Sequence, residues 1–288
     1  MSEARQFDRT EENIGNVLSM QHINLCVPDL YLATIFYVTG IGLTRDPYVD
    51  FGGPIMWVNA GEQQFHLLQN KAQRWRGHMG VVVPSLDDLK TRLGRVEKTL
   101  ADTDFAWREA DGFVQVTCPW GNDIRVFGPE SFPGHYLGIP YAEMLVPPGT
   151  TEGIARFYEQ VLDTPATVTD VNGGSRTEVS MGFNQRLIYQ ETDDAIPEYD
   201  GHHIAIHIAN FSGPHAFLAK HGLLTEESDQ HQYRFQAIVD PDSGDTLAEL
   251  EHEVRSLKHP MFKRNLVNRN PAQTFFNYVE GRDAFYPG

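Results

Sequence analysis

Four stretches of this 288-residue chain follow one plan: a short apolar strand, a turn, a helix, then two or three further strands. A chain built that way is confined to folds in which each unit buries its open face against a neighbour. The first unit opens with Met20-Gln-His-Ile-Asn-Leu-Cys-Val-Pro28. Leu32, Ile35 and Phe36 then have helical spacing, and strands are expected at Ile55–Asn59 and Gln64–Leu68, joined through Ala60-Gly61. The second opens with Gly77-His-Met-Gly-Val-Val-Val-Pro84, and Ser85 before Asp87 and Asp88 reads as an N-cap with an acidic first turn. Its strands are expected at Phe105–Glu109, Phe113–Thr117 and Asp123–Phe127. The third opens with Tyr141-Ala-Glu-Met-Leu-Val-Pro147, with strands expected at Thr177–Met181 and Arg186–Gln190. The fourth opens with His202-His-Ile-Ala-Ile-His-Ile208, with strands expected at Tyr233–Val239 and Thr246–Glu251.

The spacings agree on two levels. His22 precedes the pair Phe36-Tyr37 by 14 residues, and Glu143 precedes Phe157-Tyr158 by 14. The interval from unit one to unit three (143 − 22 = 121) nearly equals that from two to four (203 − 78 = 125). Duplication of a two-unit block follows, with an N-terminal domain over 19–130 and a C-terminal domain over 138–255. The boundary falls in the Gly/Pro-rich stretch Gly128–Gly134. Residues 1–18 are expected to form a loose arm, or a short docked helix around Glu11–Leu18. Residues 256–288 form a tail, with Arg255 at its start, that wraps the C-terminal domain or joins copies into a homo-oligomer.

Composition removes several classes of function. Asp plus Glu number 39 against 23 Lys plus Arg, a formal charge of −16, which disfavours nucleic acid and anionic membrane surfaces as partners. Cys26 and Cys118 are the whole cysteine complement, so a disulfide scaffold and a Cys-rich metal site are excluded. No apolar run approaches the roughly 18 residues that span a bilayer, and residues 1–5 do not read as a secretory signal, so a cytoplasmic protein is expected. Neither a Gly-x-Gly-x-x-Gly nor a Gly-x-Ser-x-Gly sequence is present, which leaves dinucleotide binding and α/β-hydrolase chemistry without a motif. A small molecule is the expected partner.

Tandem strand–helix–strand units that each open with a ligand-type residue, the Phe36-Tyr37 and Phe157-Tyr158 helix pairs, and Cys118-Pro-Trp-Gly-Asn-Asp-Ile-Arg125 carry a resemblance. The last is similar to an Asp-Pro-x-Gly-Asn-x-x-Glu turn. Over residues 19–255 the chain resembles the vicinal-oxygen-chelate superfamily, which includes glyoxalase I, extradiol dioxygenases and bleomycin-binding proteins. The resemblance implies an α+β fold of four βαβββ modules paired into two domains. Each domain curls around a cleft that takes metal ligands from the first and last strands of two adjacent modules.

In the C-terminal domain the matching positions are Glu143, His203 and Glu249, with Glu251 as the alternative to Glu249. One imidazole and two carboxylates suit Fe, Mn or Zn. A second set is His22, His66 and His78, with Arg125 where a fourth ligand would stand. Three imidazoles also suffice for zinc or iron. Strand alternation equally allows each carboxylate to face solvent. The run His231, Asp240-Pro241, Gly244, Glu249 partly resembles the extradiol signature. Those enzymes use two His and one Glu, so Glu143 departs from them toward the glyoxalase set of His or Gln with two Glu. The resemblance implies a metal-dependent dioxygenase acting on a catechol-like chelating substrate. A glyoxalase-type isomerase or lyase and a metal-free binding protein are the alternatives. In the glyoxalase-type reading Glu143 or Glu249 is the expected base, and His231 and Tyr233 the expected hydrogen-bonding groups of the pocket.

Overall fold

The computed structural model describes residues 8–48, 53–171 and 174–266. Unit one comprises β1 (Val17–Val27), α1 (Leu30–Ala33, running on as a π-helical stretch over Thr34–Ile41), β2 (Thr44–Arg45), β3 (Ile55–Ala60) and β4 (Gln63–Gln69). Unit two holds β5 (Gly77–Val82), α2 (Leu86–Leu100), β6 (Ala106–Ala110), β7 (Phe113–Thr117) and β8 (Asp123–Phe127). Unit three holds β9 (Tyr141–Val146), α3 (Thr151–Gln160), β10 (Ala166–Val171), β11 (Gly174–Ser180) and β12 (Arg186–Glu191). Unit four holds β13 (His203–Ile208), α4 (Ser212–Lys220), β14 (Leu224–Asp229), β15 (Gln232–Val239) and β16 (Thr246–Ser256).

The expected N-cap is present: the Ser85 hydroxyl accepts from the Asp88 amide, and α2 buries Leu89, Leu93, Val96 and Leu100 on one face. Strands β2, β10 and β14 were not expected. All three are outer strands, and β14 reads Leu-Thr-Glu-Glu-Ser-Asp with five of its six residues exposed, so alternation leaves no trace there. No helix among the described residues is long and apolar enough to cross a membrane.

The strands form two eight-stranded sheets, ordered β14-β15-β16-β13-β1-β4-β3-β2 and β10-β11-β12-β9-β5-β8-β7-β6. The four-module α+β architecture is thus present, but the partners differ from the sequence expectation. Unit one shares its sheet with unit four, and unit two with unit three. The first strands meet antiparallel at each joint, His22 opposite Ala205 and Asn24 opposite His203 in one sheet, His78 opposite Glu143 in the other. Gly77 (φ 149°) makes the second joint possible, since a Cβ there would lie 2.2 Å from the Glu143 carbonyl oxygen. Gly128–Gly134 therefore links two halves of one sheet. The physical reason is that each joint is a short ladder between equivalent first strands, so periodicity is the same for either pairing.

The π-helical continuation of α1 packs on α2, and α3 packs on β15 as well as on β10 and β11. One contiguous hydrophobic core consequently runs through both sheets. At the ends, residues 1–7 lie outside the described residues, and a 3₁₀ turn (Thr10–Glu12) followed by β1 from Val17 replaces the expected helix over Glu11–Leu18. Arg255 belongs to β16, not to a tail. Residues 267–288 of the expected tail lie outside the described residues.

Candidate metal centre

The face of the first sheet that carries the ligand-type residues is set by alternation. On it β13 presents His203 and His207, β16 presents Glu251, Glu253 and Arg255, and β4 presents Gln64 and His66. His22 reaches the same space from β1, which carries register shifts on either side of Met20. One ligand atom from each of His22, His203 and Glu253 lies within 4.8 Å of the others, and all three residues are buried. The His22 and His203 rings stand edge-on with centroids 5.7 Å apart.

Of the first expected set, only His203 is here. Glu143 lies in the other sheet, where its carboxylate contacts His78 Nδ1 at 3.1 Å and Arg176 Nη2 at 3.0 Å. Burial pushes that carboxyl's pKa up, but the hydrogen bond from His78 and the charge of Arg176 outweigh it, and the net shift is downward. Glu143 is thus ion-paired in the other sheet, away from this triad. Glu249 accepts from Gln236 Nε2 at 2.8 Å. Glu251 stands 3.5 Å from His203 Nδ1 and is paired with Arg234 at 2.7 Å.

The second expected set is divided likewise. His22 joins the triad, whereas His78 is hydrogen-bonded to Tyr141 in the other sheet at 3.0 Å. His66 is stacked on both His22 (centroids 3.6 Å) and Trp57 (4.0 Å), and its Nε2 contacts Gln64 at 3.0 Å. Arg125 sits in the other sheet over Phe113. Tyr233 is turned toward α4, its hydroxyl donating to the Phe211 carbonyl at 3.2 Å, and His231 lies beside Ser256. Neither belongs to the triad.

Glu253 was missed. In register, Gln64 faces His22 and Glu251 faces His203, so His66 and Glu253, two residues further on, hold equivalent places. The alternating run Glu249, Glu251, Glu253 was the available signal. The β15–β16 hairpin has a longer loop and two register shifts that the β3–β4 hairpin lacks, which carries the equivalent place on from Glu249 to Glu253.

The imidazoles are held neutral, as metal ligands must be. Burial, followed by the charges of Arg234 and Arg255, pushes His203 down to about 3. Burial, then His66 and Arg255, pushes His22 well below its ordinary value. His22 Nδ1 lies 2.6 Å from Gln21 Oε1, which can only accept, so the proton sits on Nδ1. His22 Nε2 is left bare, buried and without a hydrogen-bond partner. A buried unpaired nitrogen is costly, and a cation is the ligand its lone pair suits. The carboxylate of Glu253 is 3.6 Å from His203 Nε2, is paired with Arg234 at 2.6 Å, and also meets the Arg255 guanidinium. Two neutral imidazoles and one carboxylate can coordinate a divalent transition ion.

No protein-family model matches the chain. No curated protein matches it in sequence. Solved structures match it in fold. A candidate dioxygenase from Bacillus subtilis subsp. subtilis str. 168 is 15% identical, with TM-score 0.56 over 84% of this chain and 86% of that one. Glyoxalase I from Zea mays is 12% identical, with TM-score 0.55 over 83% of this chain and 92% of that one. The chain shares the fold of these two proteins. Identities this low are a likeness of fold alone.

Proposed function

We propose that this chain is a metal-dependent dioxygenase acting on a small, catechol-like substrate that binds as a chelate. The observation that carries the reading is the composition of the triad: His22, His203 and Glu253 are two histidines and one carboxylate, the set associated with non-haem iron(II) oxygenases. Glu143 stands in the other sheet, so the triad holds one carboxylate rather than the two of a glyoxalase-type set, which supports this reading. When bound, a divalent ion would supply charge stabilisation for two neighbouring substrate oxygens.

The remaining work falls to the chain's own groups. Gln21 holds His22 in the tautomer that bares Nε2. Glu251 stands beside His203 Nδ1 and biases that ring to present Nε2. Arg234 and Arg255 offset the buried charge of Glu253 and fix its carboxylate plane. Glu251 and Glu253 against Arg234 and Arg255 leave these four groups neutral, so a divalent ion would add two uncompensated positive charges. A substrate that sheds protons to bind as an anion balances them, as a chelating diol does.

The test is metal analysis of the purified chain followed by oxygen uptake with simple catechols, beside a methylglyoxal–thiol assay. Near-stoichiometric iron or manganese with oxygen consumption supports the reading. Thiol-adduct isomerisation without oxygen uptake replaces it by the glyoxalase alternative. Less than a tenth of an equivalent of any metal, with none stabilising the fold on addition, removes the enzyme reading in favour of a binding protein.

A further inference from the structure

A cavity of about 740 Å³ opens between β1, β4, β13 and the segment Met261–Leu266. Its size falls in the range of roughly 300–1,000 Å³ typical of sites for small organic ligands. His207 lies in its wall and is 1% exposed, yet neither ring nitrogen has a hydrogen-bond partner. Leaving both polar atoms of a buried imidazole unpaired is costly, so the arrangement calls for an occupant that supplies partners.

The surroundings narrow the chemistry. Phe262 stands 5.2 Å from the His207 ring and shares the lining with Met261. At the mouth are Phe183 and Ile14, 72% and 37% exposed, large apolar side chains left to solvent. Charge on the inner side is already paired: Arg264 with Asp46, and Arg255, opposite His207 on β16, with Glu253. At the rim Lys263 is exposed with the oppositely charged Glu62. Burial, then the charge of Arg255, holds His207 down at about 3, so it meets a ligand as a neutral ring with one donor and one acceptor. Gln21, whose Oε1 contacts His22, also lines the cavity and connects it to the triad.

We infer that this cavity binds an uncharged hydroxylated aromatic compound, with the hydroxyl on His207 and the ring against Phe262 and Met261. Calling that compound the organic body of the substrate rests on the proposed function; its binding does not, because none of these residues is in the triad. 2-Naphthol is a suitable probe, since its single hydroxyl cannot chelate a metal. In a titration of the full chain after EDTA treatment, it should bind saturably at one equivalent. Naphthalene should bind at least about tenfold more weakly, the value of one hydrogen bond of about 1.4 kcal/mol. His207→Leu should weaken 2-naphthol about tenfold and leave naphthalene unchanged, and His207→Gln should recover part of the loss. Because the titration is made after EDTA treatment, it reads the cavity without the metal, so a failed metal site and a failed pocket give different results. Absence of saturable binding, or equal affinity of the parent for 2-naphthol and naphthalene, overturns the inference without any variant having to fold.

Discussion

Asp46 reaches His22 through two glutamine side chains. Asp46 Oδ2 accepts from Gln64 Nε2 at 2.7 Å, Gln64 Oε1 accepts from Gln21 Nε2 at 3.1 Å, and Gln21 Oε1 accepts from His22 Nδ1 at 2.6 Å. An ionised carboxylate can only accept, so it sets the direction of both amides and places the imidazole proton on Nδ1. The bare Nε2 of the triad is therefore determined by a residue outside it. Asp46 is itself paired with Arg264, so the segment after β16 is tied into the same network.

Gln64→Leu should cut the chain while keeping a side chain of similar size at this fully buried position. Metal affinity should fall about 10–100-fold, the usual cost of losing an outer partner of a ligating histidine. A competition titration against a chelator measures it, and nitrogen chemical shifts of His22 report the tautomer. Unchanged affinity with the tautomer retained would show that the glutamine chain does not orient the ring.

His22→Ala and Glu253→Gln should each lose metal by at least tenfold, whereas Glu143→Ala should retain it, because Glu143 is on the other sheet. Glu253→Gln is preferred over alanine because it keeps acceptor oxygen near Arg234 and Arg255. Metal-to-protein ratios after dialysis decide this, and loss only in Glu143→Ala would sink the assignment.

The ion pair of Asp46 and Arg264 has side chains 0% and 1% exposed. Removing one partner strands a buried charge, at a cost of about 3–5 kcal/mol. Asp46→Asn should lower the urea midpoint accordingly. Adding Arg264→Met to it should restore part of the loss, because no charge then remains unpaired. Additive losses in the double variant would argue against a direct pairing.

Stability should decline on acidification before carboxylates titrate. His207 is held at about 3 and His252 at about 4, both by burial first. Unfolded histidine titrates near 6.5, so the chain is fully stable with respect to these groups above that pH. Below it the unfolded state takes up protons that the fold refuses, and stability falls toward pH 4 and then 3. Each such histidine contributes a slope of about 1.4 kcal/mol per pH unit. Urea midpoints between pH 7 and 5 should therefore drop, and His252→Gln should flatten the curve. A flat parent profile in that window contradicts the neutral buried state.

Much of the fold was legible in the residues. The first-strand runs, Ser85 as a cap and the Trp120-Gly121-Asn122 turn each stand where expected, because alternation, capping and turn chemistry are local. Candidate ligands were legible in kind but not in grouping. His22 and His203 were singled out in separate sets, and Glu253 was passed over for Glu249, four residues earlier and across a register shift. Alternation tells which face a residue occupies, but a bulge or a longer hairpin shifts the register by amounts that local pattern does not carry.

Four repeated units, an acidic surface and a supply of imidazoles and carboxylates on inward-facing strand positions follow from the amino-acid order alone, since each depends on neighbours a few residues away. Tertiary structure decided that unit one closes on unit four, and so that His22 meets His203 and Glu253 while Glu143 pairs with His78 and Arg176. The two joints use equivalent backbone ladders between similar strands. Choice between them lies in long-range packing of helices and buried polar side chains, which no stretch of local sequence contains.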